Sequence, residues 1–290
     1  MLASGVLGIS FDLFPRIISS GCGAVVTKSI GLEPREGYTN PTMTGVEAGY
    51  LNAIGLANPG VQIFSEELKE FNSLDASRST PIVVSVFGDT PENFARLVRM
   101  IDSVGNFLAF ELNLSCPHVE EVGSEIGSDI DLSRQVIEAA KAETDKPVFA
   151  KMPASLPNVP VWGREIEKAG ADAIVAINTI RAMAIDITAR KPILSNKIGG
   201  LSGSAIKPVG VRAVYELFES VEIPIIGVGG ILSSKEAIEY FLAGAACVQV
   251  GSAVALNFLD TFGEINEGVA RYMKESGYST VKEMVGAAHN

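Results

Sequence analysis

The stretch Phe-Leu-Ala-Phe-Glu-Leu-Asn-Leu-Ser-Cys-Pro-His, residues 107–118, indicates the fold class because polar residues directly follow a buried strand. Residues 107–112 are a short apolar run of the kind that forms a fully buried strand. Four polar residues follow at once: Asn113, Ser115, Cys116 and His118. Pro117 lacks a backbone donor and disfavours helical geometry before it, so we expect Cys116 on an extended turn. A thiol there is a candidate base or nucleophile, although most free cysteines are small buried fillers.

Seven similar runs occur along the chain, and helical patterns separate them. The predicted strands cover residues 1–4, 23–28, 82–87, 108–113, 147–151, 173–178, 224–228 and 246–250. Predicted helices cover residues 91–103, 131–144, 161–169, 207–220 and 233–242, several of them opened by a proline or a capping serine or threonine. Strands that alternate with helices indicate parallel pairing through crossovers. Eight such units favour an α/β fold, a (β/α)8 TIM barrel, over a doubly wound sheet.

Two segments are too long for a minimal barrel, and both follow predicted strands. Residues 31–60 are rich in glycine, proline and asparagine, and residues 179–206 follow the sixth strand. Long segments without regular structure are usually functional or disordered, and these emerge at the face where barrels keep their active sites. We therefore expect inserted loops that wall and cover a site on one domain, residues 1–290.

Composition excludes several classes of function. The net charge of -11 argues against a surface for nucleic acid or anionic membrane. Three separated cysteines without C-x-x-C spacing and two histidines predict neither zinc nor an iron–sulfur cluster, and no metal. The sequence contains neither a secretory signal pattern nor an apolar run approaching the roughly 20 residues of a membrane span. These features predict a cytoplasmic protein in a reducing environment.

Polar residues and glycines at the predicted strand ends should converge at the barrel mouth. They are Ser4, Thr27, Lys28, Ser29, Asn113, Cys116, Lys151, Asn178, Thr179, Gly229, Gly230, Gly251 and Ser252. The glycines after the seventh and eighth strands bring bare backbone amides to a helix start, which favours a phosphate site. Alternatively, these glycines only permit tight turns.

Lysines and asparagines suggest what else the mouth could bind. A buried charge at Lys28 or Lys151 is costly without an anionic partner, although a lone lysine often extends to water instead. Beside a redox ring, a lysine would stabilise the negative charge that develops on reduction. The side-chain amides of Asn52, Asn113 and Asn178 suit a planar imide or amide ring, although each could merely cap a turn.

Short motifs along nearly the whole chain resemble the class 1 dihydroorotate dehydrogenases, and within them the NAD-linked class 1B catalytic subunits. The matching stretches are MLASG (1–5), TKS (27–29), EPREG (33–37), LNAIGL (51–56), NPG (58–60), ELNLSCP (111–117), KM (151–152), INT (177–179), GGLSG (199–203), IKP (206–208), IIGVGG (225–230) and VG (250–251). The resemblance implies an FMN-dependent barrel that oxidises dihydroorotate to orotate in pyrimidine biosynthesis. It also implies a homodimer that binds an iron–sulfur and FAD electron-transfer subunit in a heterotetramer.

The resemblance also implies roles for individual residues. Cys116 would be the base that takes a proton from C5 while C6 gives hydride to FMN. The implied substrate contacts are Lys28, Asn52, Ala53, Ile54, Gly55, Leu56, Asn113, Asn178 and Thr179. The implied flavin contacts are Ser4, Lys28, Ser29, Asn113, Lys151, Ile177, Gly203, Gly229, Gly230, Gly251 and Ser252.

Three features depart from the family pattern. His118 and Ser85 each stand where asparagine is common, and the chain begins almost inside the barrel. The order Cys-Pro-His also occurs in dihydropyrimidine dehydrogenases, which act on uracil or thymine, but residues 181–194 followed by GGLSG (199–203) look like the class 1B pattern. A phosphate-binding barrel without flavin redox activity is the alternative from another class, because a fold alone does not fix function.

Overall fold

A curled parallel sheet surrounded by helices forms the centre of the computed structural model, which describes residues 1–75, 77, 80–115 and 126–290. In chain order the strands are β1 (Val25–Val26), β2 (Met43–Val46), β3 (Gly49–Asn52), β4 (Ile82–Val86), β5 (Ala109–Asn113), β6 (Val148–Lys151), β7 (Ala173–Ala176), β8 (Ile180–Ala182), β9 (Ile185–Asp186), β10 (Lys191–Pro192), β11 (Gly199–Ser202), β12 (Ile225–Val228) and β13 (Cys247–Gln249). The α-helices are α1 (Phe14–Ser19), α2 (Val61–Ser73), α3 (Pro91–Asp102), α4 (Ile130–Lys141), α5 (Val159–Lys168), α6 (Lys207–Phe218), α7 (Ser234–Ala243), α8 (Val254–Asn257), α9 (Asp260–Ser276) and α10 (Val281–Met284).

Seven strands form the central sheet in the order β1-β4-β5-β6-β7-β12-β13, and adjacent strands pair in parallel. Residues 1–3 lie between its first and last strands. Leu2 bridges Val25 on one side and Val250 on the other, and the Ala3 amide donates to the Val250 carbonyl at 2.9 Å. The predicted (β/α)8 TIM barrel is therefore confirmed. The predicted first strand, residues 1–4, is reduced to a single bridging residue.

The core lies between the outer face of the sheet and the helices. Leu112 of β5, Leu97 and Val98 of α3, and Val136 of α4 are fully buried members of one apolar cluster. Two of these helices begin directly after a residue whose side chain caps the N-terminus. Thr90 and Asp129 accept hydrogen bonds from backbone amides of α3 and α4. The predicted helices agree with these elements within three residues at each end.

The two insertions, residues 31–60 and 179–206, lie at the mouth of the barrel as predicted, and they contain strands that the sequence did not predict. They form a four-stranded antiparallel sheet in the order β2-β3-β11-β8, in which Gly200 of β11 pairs with Asn52 of β3 and Arg181 of β8. These strands are short and only partly buried, so the apolar alternation that reveals strands is weak. The two insertions thus build one sheet above the barrel. No described helix has the length and apolarity to cross a membrane.

Candidate active site

A cavity of about 700 Å³ opens at the carboxyl ends of the barrel strands, between the barrel mouth and the inserted sheet. It is lined by these predicted residues: Ser4, Lys28, Ser29, Asn52, Ala53, Ile54, Gly55, Leu56, Asn113, Lys151, Ile177, Asn178, Thr179, Gly203, Gly229, Gly230, Gly251 and Ser252. Thr27, which was also predicted at the mouth, is buried instead, and its Oγ1 accepts from the Ser85 amide at 3.0 Å. Cys116 and His118 lie outside the described residues. The structure therefore brings together residues from widely separated parts of the sequence.

Three buried polar side chains lie at the floor of this cavity. Lys151 ends β6, Glu111 lies on the adjacent β5, and Gln249 ends β13. The Lys151 Nζ donates to Glu111 Oε1 and to Gln249 Oε1, each at 3.3 Å, and Gln249 Nε2 donates to Glu111 Oε2 at 2.7 Å. Glu111 and Gln249 are fully buried, and Lys151 is 6% exposed. The lysine is thus held by a closed ring of hydrogen bonds, which we call the floor triad.

A chain of hydrogen bonds orients the amides on one wall of the cavity. Asn178 Nδ2 donates to Asn113 Oδ1 at 3.1 Å, and Asn113 Nδ2 donates to the Ser29 hydroxyl at 3.4 Å. The Ser29 hydroxyl lies 2.9 Å from that of Ser85, which is fully buried. Ser85, where the family pattern has asparagine, therefore belongs to the same network. Such coupling fixes which amide atoms face a ligand.

The loop after β12 lines the cavity with Gly229, Gly230 and Ile231. Gly230 has φ +69°, and a Cβ there would lie 2.8 Å from the Gly203 carbonyl oxygen, so this close approach needs glycine. The buried Tyr240 of α7 donates from its hydroxyl to the Gly229 carbonyl at 2.8 Å. Burial raises the pKa of Tyr240, so its hydroxyl stays a donor in neutral solution. The loop is therefore held in place from beneath.

The inserted sheet forms the upper wall. Asn52 of β3 donates from Nδ2 to the Gly200 carbonyl at 3.2 Å, which joins the two insertions beside the cavity. A Cβ on Gly200 would lie only 2.1 Å from Thr179 Oγ1, so Thr179 packs directly on the bare backbone of β11. Asn58 shapes the segment before α2, because its Oδ1 accepts from the Gly31 and Gly60 amides at 3.2 Å and 2.9 Å.

Sequence reasoning missed several residues that line the cavity. The missed side chains include Glu111, Gln249, Arg35, Tyr38 and Arg181. A charged Glu111 inside a buried apolar run was a usable signal, because a buried carboxylate needs a partner. Arg35, Tyr38 and Arg181 are exposed residues of the insertions and carried no such signal. The prediction therefore recovered the strand ends and missed much of the floor and rim.

Comparison with known proteins gives a consistent result over almost the whole chain. The sequence model of the dihydroorotate dehydrogenase family matches residues 1–273. The chain is 49% identical over 288 residues to the Pyrococcus abyssi "Dihydroorotate dehydrogenase B (NAD(+)), catalytic subunit", which covers 99% of this chain and 94% of the relative. Proteins of the same name from Methanocaldococcus jannaschii and Methanosarcina mazei are 44% identical over 292 residues and 45% identical over 291 residues. These matches cover 99% and 100% of this chain, and 93% and 91% of the relatives. The chain therefore belongs to the dihydroorotate dehydrogenase family.

Proposed function

We propose that this chain oxidises (S)-dihydroorotate to orotate with a bound FMN, as a step of pyrimidine (UMP) biosynthesis. The observation that carries the proposal is the cavity in which several glycines, two lysines and four asparagines converge in a member of this family. Family membership implies a flavin, and we propose that this flavin is FMN. We propose further that residues 1–290 form a single FMN-binding domain.

The residues of the cavity fit such a group. A volume of about 700 Å³ lies within the usual range for small-molecule and cofactor sites. Gly229 and Gly230 line the cavity just before the start of α7, and the N-terminus of a helix suits a phosphate. Lys151 supplies a cation at the floor, where negative charge on a reduced ring needs stabilisation.

The flavin contacts we propose are Ser4, Lys28, Ser29, Asn113, Lys151, Ile177, Gly203, Gly229, Gly230, Gly251 and Ser252. The substrate contacts we propose are Lys28, Asn52, Ala53, Ile54, Gly55, Leu56, Asn113, Asn178 and Thr179. Lys28 belongs to both sets because it would lie between the two molecules. The hydrogen bonds between Asn178, Asn113 and Ser29 support this division, since they orient side-chain amides that could form hydrogen bonds with a planar ring.

When bound, FMN supplies an acceptor for the hydride that leaves C6 of dihydroorotate. The chain must remove the proton from C5, so that the C5–C6 double bond of orotate can form. We propose that the Cys116 thiolate takes this proton. Asn52, Asn178 and Thr179 would hold the substrate ring with C5 toward Cys116, and the inserted sheet would exclude water.

Electrons must leave the flavin after each turnover. The relatives are named as NAD(+)-linked catalytic subunits, and that name implies a partner subunit for them. We propose that this chain, as a homodimer, passes electrons to NAD through an iron–sulfur and FAD subunit.

The test compares dihydroorotate with dihydrouracil, which lacks the carboxylate, in single-turnover mixing without air. We expect dihydroorotate to bleach the flavin with formation of one orotate per flavin, and dihydrouracil to bleach it far more slowly. Equal or faster bleaching by dihydrouracil would favour a dihydropyrimidine dehydrogenase, which the Cys-Pro-His order of residues 116–118 brings into consideration. A colourless protein that cannot be reconstituted with FMN would instead favour a phosphate-binding barrel without flavin chemistry.

A further inference from the structure

The floor triad contains two groups that the proposed reaction does not use. Glu111 is fully buried, and its carboxylate accepts from Lys151 at 3.3 Å and from Gln249 at 2.7 Å. Gln249 is fully buried as well, and its Oε1 accepts from the same ammonium at 3.3 Å. Taking a carboxylate and an ammonium out of water is expensive, and well-packed apolar residues often stabilise a core equally well. Stability alone is therefore a weak reason for this arrangement.

The geometry of the triad restricts the lysine to one position. An ammonium has three N–H donors, and the hydrogen bonds to Glu111 and Gln249 use two of them. Lys151 also lines the cavity, where a third donor could reach a ligand. Gln249 closes the ring by donating to Glu111, which fixes the orientation of its own amide. The two partners thus come from strands on different sides of the lysine and hold it at the floor.

The triad also sets the charge that a ligand would meet. The positive charge of Lys151 favours negative charge developing on a nearby ring, whereas the Glu111 carboxylate opposes it. In a buried site both effects are much stronger than in water. Gln249 contributes hydrogen bonds without a net charge. The charge at the floor can therefore be changed by replacing the Glu111 carboxylate with an amide, or the Gln249 amide with a carboxylate.

We propose that Glu111 and Gln249 are positioning residues that hold Lys151 at the pyrimidine edge of the flavin, and that the Glu111 carboxylate keeps the flavin's reduction potential lower than Lys151 alone would set it. This inference rests on the proposed function, because it requires a flavin in the cavity. Its consequence is that the reduction potential follows the number of carboxylates in the triad. Glu111→Gln has none, Gln249→Glu has two, and the exchange Glu111→Gln with Gln249→Glu has one, as in the natural chain.

The experiment measures the midpoint potential of the bound FMN in these three variants and the wild type by equilibration with reference dyes. We expect Glu111→Gln to raise the equilibrium constant for reduction about tenfold, which is about 30 mV for a two-electron couple. Gln249→Glu should lower it by a similar factor, and the exchange variant should return close to the wild-type value. FMN dissociation constants are measured by reconstituting the flavin-free protein. They should be largest in the variant in which Lys151 is held by the fewest hydrogen bonds.

Ser133→Ala is the matched control for a purely structural effect. Ser133 is fully buried on α4, and its hydroxyl donates to the Asp129 carbonyl at 2.7 Å. This variant should lower the melting temperature and leave the midpoint potential unchanged. If one single variant folds poorly, the other still tests the inference, because each is expected to shift the potential away from the wild-type value, in opposite directions.

The possible outcomes separate this inference from the function on which it rests. Equal potentials in all FMN-loaded variants would overturn the inference and leave the proposed function standing. Potentials that follow melting temperature, with no recovery in the exchange variant, would overturn it as well. A wild-type protein that binds no FMN would overturn the proposed function, and the inference with it.

Discussion

Cys116 is the single residue on which the proposed chemistry depends most, and it lies outside the described residues. Replacing it with serine substitutes a much weaker acid of similar reach. We expect Cys116→Ser to keep its FMN and bind orotate, yet to reduce the flavin ~10²–10⁴-fold more slowly, the usual size of a general-base contribution. The measurement is stopped-flow bleaching by dihydroorotate without air.

The pH dependence of this rate follows from the protonation state that the reaction needs. A free thiol has a pKa near ~8.5, and only the thiolate can accept the proton. The wild-type rate should therefore rise with pH through the titration of Cys116 and level off above it, and Cys116→Ser should lack this rise. Cys247→Ser, at the opposite end of the barrel, should behave as wild type. A wild-type rate for Cys116→Ser at neutral pH would remove Cys116 from the mechanism.

Single residues were predictable from the sequence where a polar group follows an apolar run. Asn113 and Lys151 stand at such ends, and both line the cavity. Glu111 and Gln249 were not predicted, because strands of a barrel are buried on both faces and lack the alternation that marks an inward side. The floor triad became visible only when the register of β5, β6 and β13 was known.

At the scale of elements, the inserted sheet governs how the upper wall meets the barrel mouth. Gly200→Ala would place a Cβ 2.1 Å from Thr179 Oγ1, which is far too close, so Thr179 or β11 must move. We expect weaker orotate binding and a loss on the order of 10²-fold in flavin reduction, because a displacement near 1 Å can cost that much. FMN content should stay unchanged, since Gly229, Gly230 and Lys151 belong to the barrel.

Gly45→Ala provides the matched control within the same sheet. Gly45 lies on β2, and no atom lies within 4 Å of a Cβ built there. This variant should bind orotate and turn over as the wild type does. Full activity of Gly200→Ala, or equal losses in both variants, would contradict the role assigned to the contact between Gly200 and Thr179.

The elements themselves were predicted unevenly, for identifiable reasons. Helices were placed within three residues because proline, Thr90, Asp129 and Ser233 mark their starts. The inserted strands were missed because they are short and only partly buried, and because the pairing of β3 with β11 joins two distant parts of the sequence. Asn52 with Gly200 is one such pair. Local patterns cannot reveal a strand that is stabilised by a distant partner.

At the scale of the whole molecule, alternation of apolar runs with helical patterns was enough to predict the barrel. In the structure, backbone bonds on both sides of Leu2 close the barrel, including those to the Ala24 carbonyl and from the Val26 amide. A closed barrel directs the carboxyl ends of all strands toward one mouth, which is why scattered motifs converge there.

The central claim is that this one mouth holds FMN and dihydroorotate side by side, and a crystal structure with FMN and orotate tests it most directly. We predict the phosphate against the amides of Gly229, Gly230 and Gly251, and the pyrimidine edge of the flavin within hydrogen-bond distance of Lys151 Nζ. Orotate should lie between the flavin and the wall formed by Asn52 and Asn178. An FMN bound elsewhere, or an orotate separated from the flavin by protein, would contradict the account.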